Sequence, residues 1–200
     1  MAVPWRVQVE SDQGCAMRIS WALSDTVDLD PTIGLEQLKN IGPFWGGWRT
    51  WRSYLTDNVV CHSVDEARNL VNKNFHTRCN LYIPSAIFAE LGRPSDVKIY
   101  SGEFHEIVDH PDSIVSMHLA AAHSDIVLLL GFDISPKKLD NDKLAKHKWH
   151  NYCQYLYHIV KSNPDVQWVV LDHAPEIEKL FKDLPNLLFD SVSNVLTQFK

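Results

Sequence analysis

Apolar and polar residues alternate at two places near the start of the chain. Trp5, Val7 and Val9 alternate with Arg6, Gln8 and Glu10, and Met17, Ile19 and Trp21 alternate with Arg18 and Ser20. A period of two marks a half-buried strand. Ser11-Asp-Gln-Gly14 between the two supplies a turn, so residues 5–10 and 16–23 are expected to form an antiparallel hairpin. The acidic stretch Asp25–Pro31 reads as a loop and residues 33–40 as a short helix. Ile41–Tyr54 then places Trp45, Trp48 and Trp51 around Gly46-Gly47; the glycines should break the segment and leave Trp48–Leu55 as a short helix.

From Asn58 the pattern changes to short apolar runs separated by helical stretches. The expected strands are Asn58–His62, Asn80–Pro84, Val97–Tyr100, Ile126–Leu130, Val166–Asp172 and a last short one at Leu187–Phe189. Between them, Ser63-Val-Asp-Glu66 is a capping box that opens a helix to about Phe75. Ser85–Leu91 is a short helix closed by Gly92. The stretch from Ser113 runs as a short helix into the 126–130 strand. Residues 142–161 place Tyr152, Leu156, Ile159 and Val160 on one helical stripe, and Pro175 suits the first position of a helix to Lys182.

Strand–helix alternation of this kind predicts an α/β fold: a mostly parallel, Rossmann-like sheet with helices on both faces, and an N-terminal antiparallel hairpin. Residues 56–200 form the core of a single domain on this reading, with the hairpin and Trp-rich segment of 1–55 as an appendage. The strands at 97–100, 126–130 and 166–171 are expected to be parallel neighbours.

Composition adds bounds. At 200 residues and 45% hydrophobic content the chain has apolar mass for one core. A net charge of −6 weighs against bulk nucleic acid and anionic membrane as partners, because both need basic surfaces. The longest apolar run has strand length, and the N-terminus has no signal-like apolar stretch, so a cytoplasmic setting is expected. Cys15, Cys61, Cys79 and Cys153 show no CxxC spacing and are expected to be reduced thiols.

Parallel strands would bring their C-terminal ends to one edge, where α/β proteins bind ligands. The residues just past the strands include His62-Ser63, Pro84-Ser85, Ser101-Gly102-Glu103, Gly131-Phe132-Asp133 and Asp172-His173. Ser101, Gly102, Glu103, Gly131, Asp133 and Asp172 are the candidate ligand-binding residues: Gly131 permits close approach, and Asp133 can accept hydrogen bonds from sugar hydroxyls. His173 and His105 are the candidate acid/base residues, since imidazole titrates near neutrality. Turns favour Gly, Ser and Asp for their own sake, so each of these residues also has a purely structural reading. The chain has no GxGxxG, Walker A or GxSxG motif, and no cofactor is expected. His105, Glu106, Asp109 and His110 cluster, and His147, His150 and Cys153 recur every three residues, but neither set has a zinc spacing, so no metal site is expected. Trp45, Trp48, Trp51 and Arg52 are either core residues or a surface for a protein partner or a second copy of the chain, because Trp and Arg dominate interface hot spots.

The segment SMHLAAAHSDIVLLLGFDIS, an Ala-rich helix followed by a strand ending in Gly-Phe-Asp, resembles an element of Rossmann-like glycosyltransferases. The likeness is to the bacterial sialyltransferase-like group and spans about residues 112–173, including the aromatic helix HNYCQYLYHIV. That group's early Gly-Asn-Gly-Pro-Ser donor loop is absent here; Ile41-Gly-Pro-Phe44 follows a helix-like segment instead of a strand. The resemblance implies a Rossmann-like fold, a nucleotide or nucleotide-sugar as ligand, and a transferase activity. The competing expectation is a non-enzymatic assembly protein that uses the tryptophan segment. A metal-dependent hydrolase built on 105–110 is a third.

Overall fold

The computed structural model describes residues 17–24, 27, 33–100, 112–132, 143–173 and 175–199, without the side chains of 143–149, 152, 175 and 176. Its frame is one eight-stranded sheet in which every pairing is parallel. The first half of the chain runs β1 (Ile19–Leu23), α1 (Leu35–Lys39), β2 (Phe44–Gly47), α2 (Trp48–Tyr54), β3 (Asn58–Val60), α3 (Val64–Asn72), β4 (Asn80–Pro84), α4 (Ser85–Glu90) and β5 (Lys98–Tyr100). The second half runs α5 (Asp112–His123), β6 (Ile126–Leu130), α6 (Lys143–Ser162), β7 (Gln167–Leu171), α7 (Pro175–Leu180), β8 (Leu187–Asp190) and α8 (Val192–Gln198). Across the sheet the order is β5-β4-β3-β2-β1-β6-β7-β8.

From β1, in the middle, the chain therefore winds outward to β5, returns through α5 to place β6 beside β1, and winds outward the other way. A reversal of direction with right-handed crossovers moves the helices to the opposite face. The cores record this. Trp21, Leu23, Phe44 and Leu128 pack with Leu38 of α1 and Val192 and Val195 of α8. Val59, Leu81 and Ile83 pack with Ala67 and Leu70 of α3 and Ile87 of α4. The other face carries Ala22, Trp45, Val127, Leu129 and Trp168, under α5 and α6. Helix α5 crosses behind β1, β2 and β3. Its Ala120 and Ala121 are buried, and small side chains let it lie close to the sheet.

Local sequence explains the termini. The Ser63 hydroxyl accepts from the Glu66 amide at 3.4 Å and starts α3. Ser191 does the same for α8 through the Asn194 amide at 3.2 Å. Beyond α4, Gly92 takes φ +76°, the left-handed conformation that ends helices.

Three expectations need correction. β1 has parallel neighbours on both edges, β2 and β6, so residues 19–23 are a central strand and not half of an antiparallel hairpin. Residues 5–10, the other half of that expectation, lie outside the described residues. β1, α1, β2 and α2 stand in the middle of the fold and are not appended to it. Finally, β6 and β7 are parallel neighbours as expected, but β5 is the far edge strand, five positions from β6, because α5 carries the chain back across the sheet before β6 forms. Among the described residues, no helix is long and apolar enough to cross a membrane.

Candidate functional site

Because all eight strands are parallel, their C-terminal ends share one edge, and among the described residues three groups stand there. The first is at the reversal point. β1 and β6 are neighbours, but the chain leaves them in opposite directions, and this is where a crevice opens in doubly wound sheets. Ser24 follows β1 and its amide donates to the Leu130 carbonyl at 3.0 Å. Gly131 follows β6 with φ +79°. A Cβ at that position would stand 2.7 Å from the Cα of Val27, so glycine is required both by conformation and by the approach of the chain after β1. The Val27 carbonyl accepts from the Tyr54 hydroxyl at 3.0 Å, which ties this loop to α2.

The second group is one strand away, at the ends of β7 and β8. Asp172 has φ +48°, and its Oδ1 accepts from the Val192 amide at 3.3 Å, capping α8. Asp190 Oδ1 accepts from the Ser191 amide and from Asn194 Nδ2 at 2.8 and 2.7 Å. His173 donates through Nε2 to Glu178 Oε1 at 2.6 Å, and its ring lies 4.6 Å from that of Phe189. Its Nδ1 is buried without a hydrogen-bond partner among the described residues.

The third group is at the end of β3. His62 donates through Nδ1 to Asp112 Oδ1 at 2.5 Å, and its backbone amide donates to the same oxygen at 3.2 Å. Asp112 is the first residue of α5, and a carboxylate is favoured there by the helix dipole. A carboxylate can only accept, so Nδ1 carries a proton toward Asp112, and in the neutral ring Nε2 is then the acceptor. That Nε2 is buried and has no partner among the described residues, and the same holds for the hydroxyl of Tyr100, whose ring stands edge-on to the imidazole at 5.8 Å. Burial pushes the Tyr100 phenol well above its ordinary value, helped by the charge of Asp112. Burial also raises the carboxyl of nearby Glu66, with Asp112 adding to it. Cys61 is no nucleophile here: burial, with Asp112 behind it, holds its thiol up at about 12.

Of the residues the sequence proposed, Gly131, Asp172 and His173 come to the edge together, on β6 and β7. Ser101, Gly102, Glu103, His105 and Asp133 lie outside the described residues, as do the cluster at 105–110 and the side chain of His147. The strand ends that precede Glu103 and Asp133 are five positions apart, or about 24 Å at the usual strand spacing. Among the described residues no three His, Cys, Asp or Glu side chains are grouped to hold a metal ion.

The tryptophans separate. Trp45 is on β2, only 3% exposed, stacked on His123 at 5.3 Å and tilted against Tyr82 at 5.2 Å. It is a core residue and cannot present a partner surface. Trp48 and Trp51 are half-buried on α2, and Arg52 lies 3.9 Å over the Trp48 ring. With Glu66, Asn69 and Phe75 they line a groove of about 230 Å³ between α2 and α3.

Sequence reasoning placed His62 at the edge but missed its pairing with Asp112, 50 residues further on. The available signal was an aspartate directly after Pro111 at a helix start. No known protein family matches the chain, and no curated protein matches it in sequence.

Proposed function

We propose that this protein binds a nucleotide or nucleotide-sugar at the C-terminal edge of its sheet, in the crevice between β1 and β6, and that it acts as a glycosyltransferase-like transferase in a cytoplasmic setting. The observation that carries this reading is the reversal of strand order at β1 and β6, together with a positive-φ glycine at the end of β6. Asp133, two residues after Gly131 in the chain, is the proposed hydroxyl-binding residue, and His173, one strand over, is the proposed acid/base group nearest the crevice. Asp172 spends one carboxylate oxygen on capping α8, so its role toward ligand is confined to the other.

The test is a thermal-shift screen with nucleotides and nucleotide-sugars. A ligand that binds only the folded protein at 100 times its Kd stabilises it by about 2.7 kcal/mol. Asp133→Ala is expected to abolish the shift in a protein that still folds. No shift at millimolar concentrations across the panel would remove this reading.

A second reading, a non-enzymatic assembly protein, draws on the groove of Trp48, Trp51 and Arg52 and on Leu55, which is 59% exposed directly after α2. Trp48→Ala with Trp51→Ala would then change sedimentation without lowering the melting temperature much. An unchanged sedimentation profile counts against it.

A further inference from the structure

The geometry points to His62 as a general base for the acceptor substrate of the proposed transfer, with Asp112 fixing its tautomer and Tyr100 donating a hydrogen bond to the acceptor hydroxyl. This rests on the nucleotide-sugar reading above and names the second substrate class, an alcohol such as a sugar or polyol.

Three observations converge on it. Asp112 holds His62 by both ring and backbone, which leaves Nε2 as the free nitrogen. Buried polar atoms without partners are uncommon in folded proteins, and each calls for an explanation. Among the described residues two occur on neighbouring rings whose centroids are 5.8 Å apart, at Nε2 of His62 and the hydroxyl of Tyr100, a residue only 7% exposed. In the neutral ring the first is an acceptor, and the second can donate, which is the pair of contacts a single hydroxyl group satisfies. The third observation is the path. The end of β3 is two strand positions from β1 and three from β6, about 10–14 Å from the crevice. The strand between, β2, ends in Gly46-Gly47, which are buried against the start of α2, with Thr50 packed on Gly46. A ligand anchored by its nucleotide in the crevice reaches His62 only with its sugar, passing around the start of α2. A bare nucleoside is too short for this.

In the reaction, Nε2 of His62 takes the proton of the acceptor hydroxyl as that oxygen bonds to the anomeric carbon of the donor. The bond from that carbon to the phosphate oxygen breaks, and its electron pair leaves on the nucleotide. Asp112 offsets the charge of the imidazolium formed.

The experiment compares wild type with His62→Gln, Asp112→Asn and Tyr100→Phe. UDP-glucose, UDP-N-acetylglucosamine, GDP-mannose and CMP-sialic acid are the donor probes, and glycerol and lactose the acceptors. Stabilisation by nucleotide and release of nucleotide are both measured. We expect all three variants to keep the nucleotide-induced shift in melting temperature. His62→Gln should lose about 10²–10⁴-fold in kcat, the usual range for a general base, with KM for the donor little changed. Asp112→Asn should lose less. Tyr100→Phe should melt higher, since it removes an orphaned buried hydroxyl, yet release nucleotide more slowly, and a purely structural role would not produce both effects. Imidazole ¹⁵N spectra at pH 8 should show His62 protonated on Nδ1 in the wild type and lose that preference in Asp112→Asn. If nucleotide stabilises the wild type but His62→Gln releases it at the wild-type rate, this inference falls alone. The same holds if the spectra place the proton on Nε2. If no probe stabilises the wild type, the nucleotide reading falls and this inference with it.

Discussion

His62 and His173 stand at the same sheet edge, each against a carboxylate, and the two pairs are built differently. Asp112 is 15% exposed, begins a buried twelve-residue helix and reaches His62 across 50 residues of chain. Glu178 is 54% exposed, sits on a six-residue helix and is only five residues from His173. The nitrogens that meet the carboxylates are opposite as well. His62 is held by Nδ1 and offers Nε2, the nitrogen farthest from its own backbone. His173 is held by Nε2 and keeps Nδ1, the nitrogen beside the main chain. A local, solvent-screened pair orients a ring weakly, whereas a long-range pair anchored in a helix start fixes it before any ligand arrives. The difference separates a histidine positioned by the fold from one positioned by its neighbour.

The hardest way to break this comparison is to remove what supports α5. Trp45 packs in the core shared by α5 and stacks on His123 at its end. Trp45→Ala should cost about 3–5 kcal/mol in urea unfolding and loosen the His62–Asp112 pair, while leaving His173–Glu178 unaffected in any fraction that still folds. A more pointed test removes each carboxylate. Asp112→Ala strips an acceptor from both the ring and the amide of His62 and should cost about 1–3 kcal/mol. Glu178→Ala should stay within about 0.5 kcal/mol, as exposed pairs do. Equal losses in the two variants would erase the distinction.

The smallest effect lies at the opposite edge of the sheet, away from both histidines. Arg18 holds the Asp125 carboxyl below its ordinary 3.8 through side-chain and backbone hydrogen bonds. A carboxyl lowered in the folded state stabilises fully above its unfolded pKa, and the contribution is lost as pH falls through the lowered value. Wild type should therefore exceed Asp125→Asn by only a few tenths of a kcal/mol at pH 7, because both side chains are largely exposed, and the gap should close in acid below about pH 3.8. A gap that persisted in acid would contradict the assignment.

Much of the framework was legible because its signals are local. The strand at 126–130, the cap at Ser63 and the glycine closing α4 each follow from a few adjacent residues. β2 was not legible, since Gly46-Gly47 fill half of its four positions and glycine has little strand propensity; it is extended because β1 and β3 pair with it on both sides. β1 misled by its alternation. Ser20 looks like a solvent-facing position, but it is buried, and its hydroxyl accepts from Ser124 at 2.6 Å, a partner 104 residues away. α8 went unread because its capping pair, Ser191 and Asn194, lacks the acidic residue that marked α3. The candidate site was legible as an edge and not as a constellation. Strand ends can be read one at a time, but His62 with Asp112 and Tyr100 exists only once β3, β5 and α5 are assembled.

The place of β1 beside β6 also governs how the chain can be made. Ile19 pairs with Ile126 and Leu23 with Leu130, so the middle of the sheet closes across more than a hundred residues. During synthesis at about 5–20 residues per second, β1 emerges roughly 5–20 seconds before the strand that covers its second edge. Through that interval an apolar strand carrying Trp21 and Leu23 has one open row of hydrogen-bonding groups, which is the feature that recruits unrelated strands. Closing so long a loop also makes for slow folding. A nascent chain stalled before residue 126 is therefore the form of this protein most in need of a chaperone, and a fragment ending at 124 should aggregate where the full chain does not.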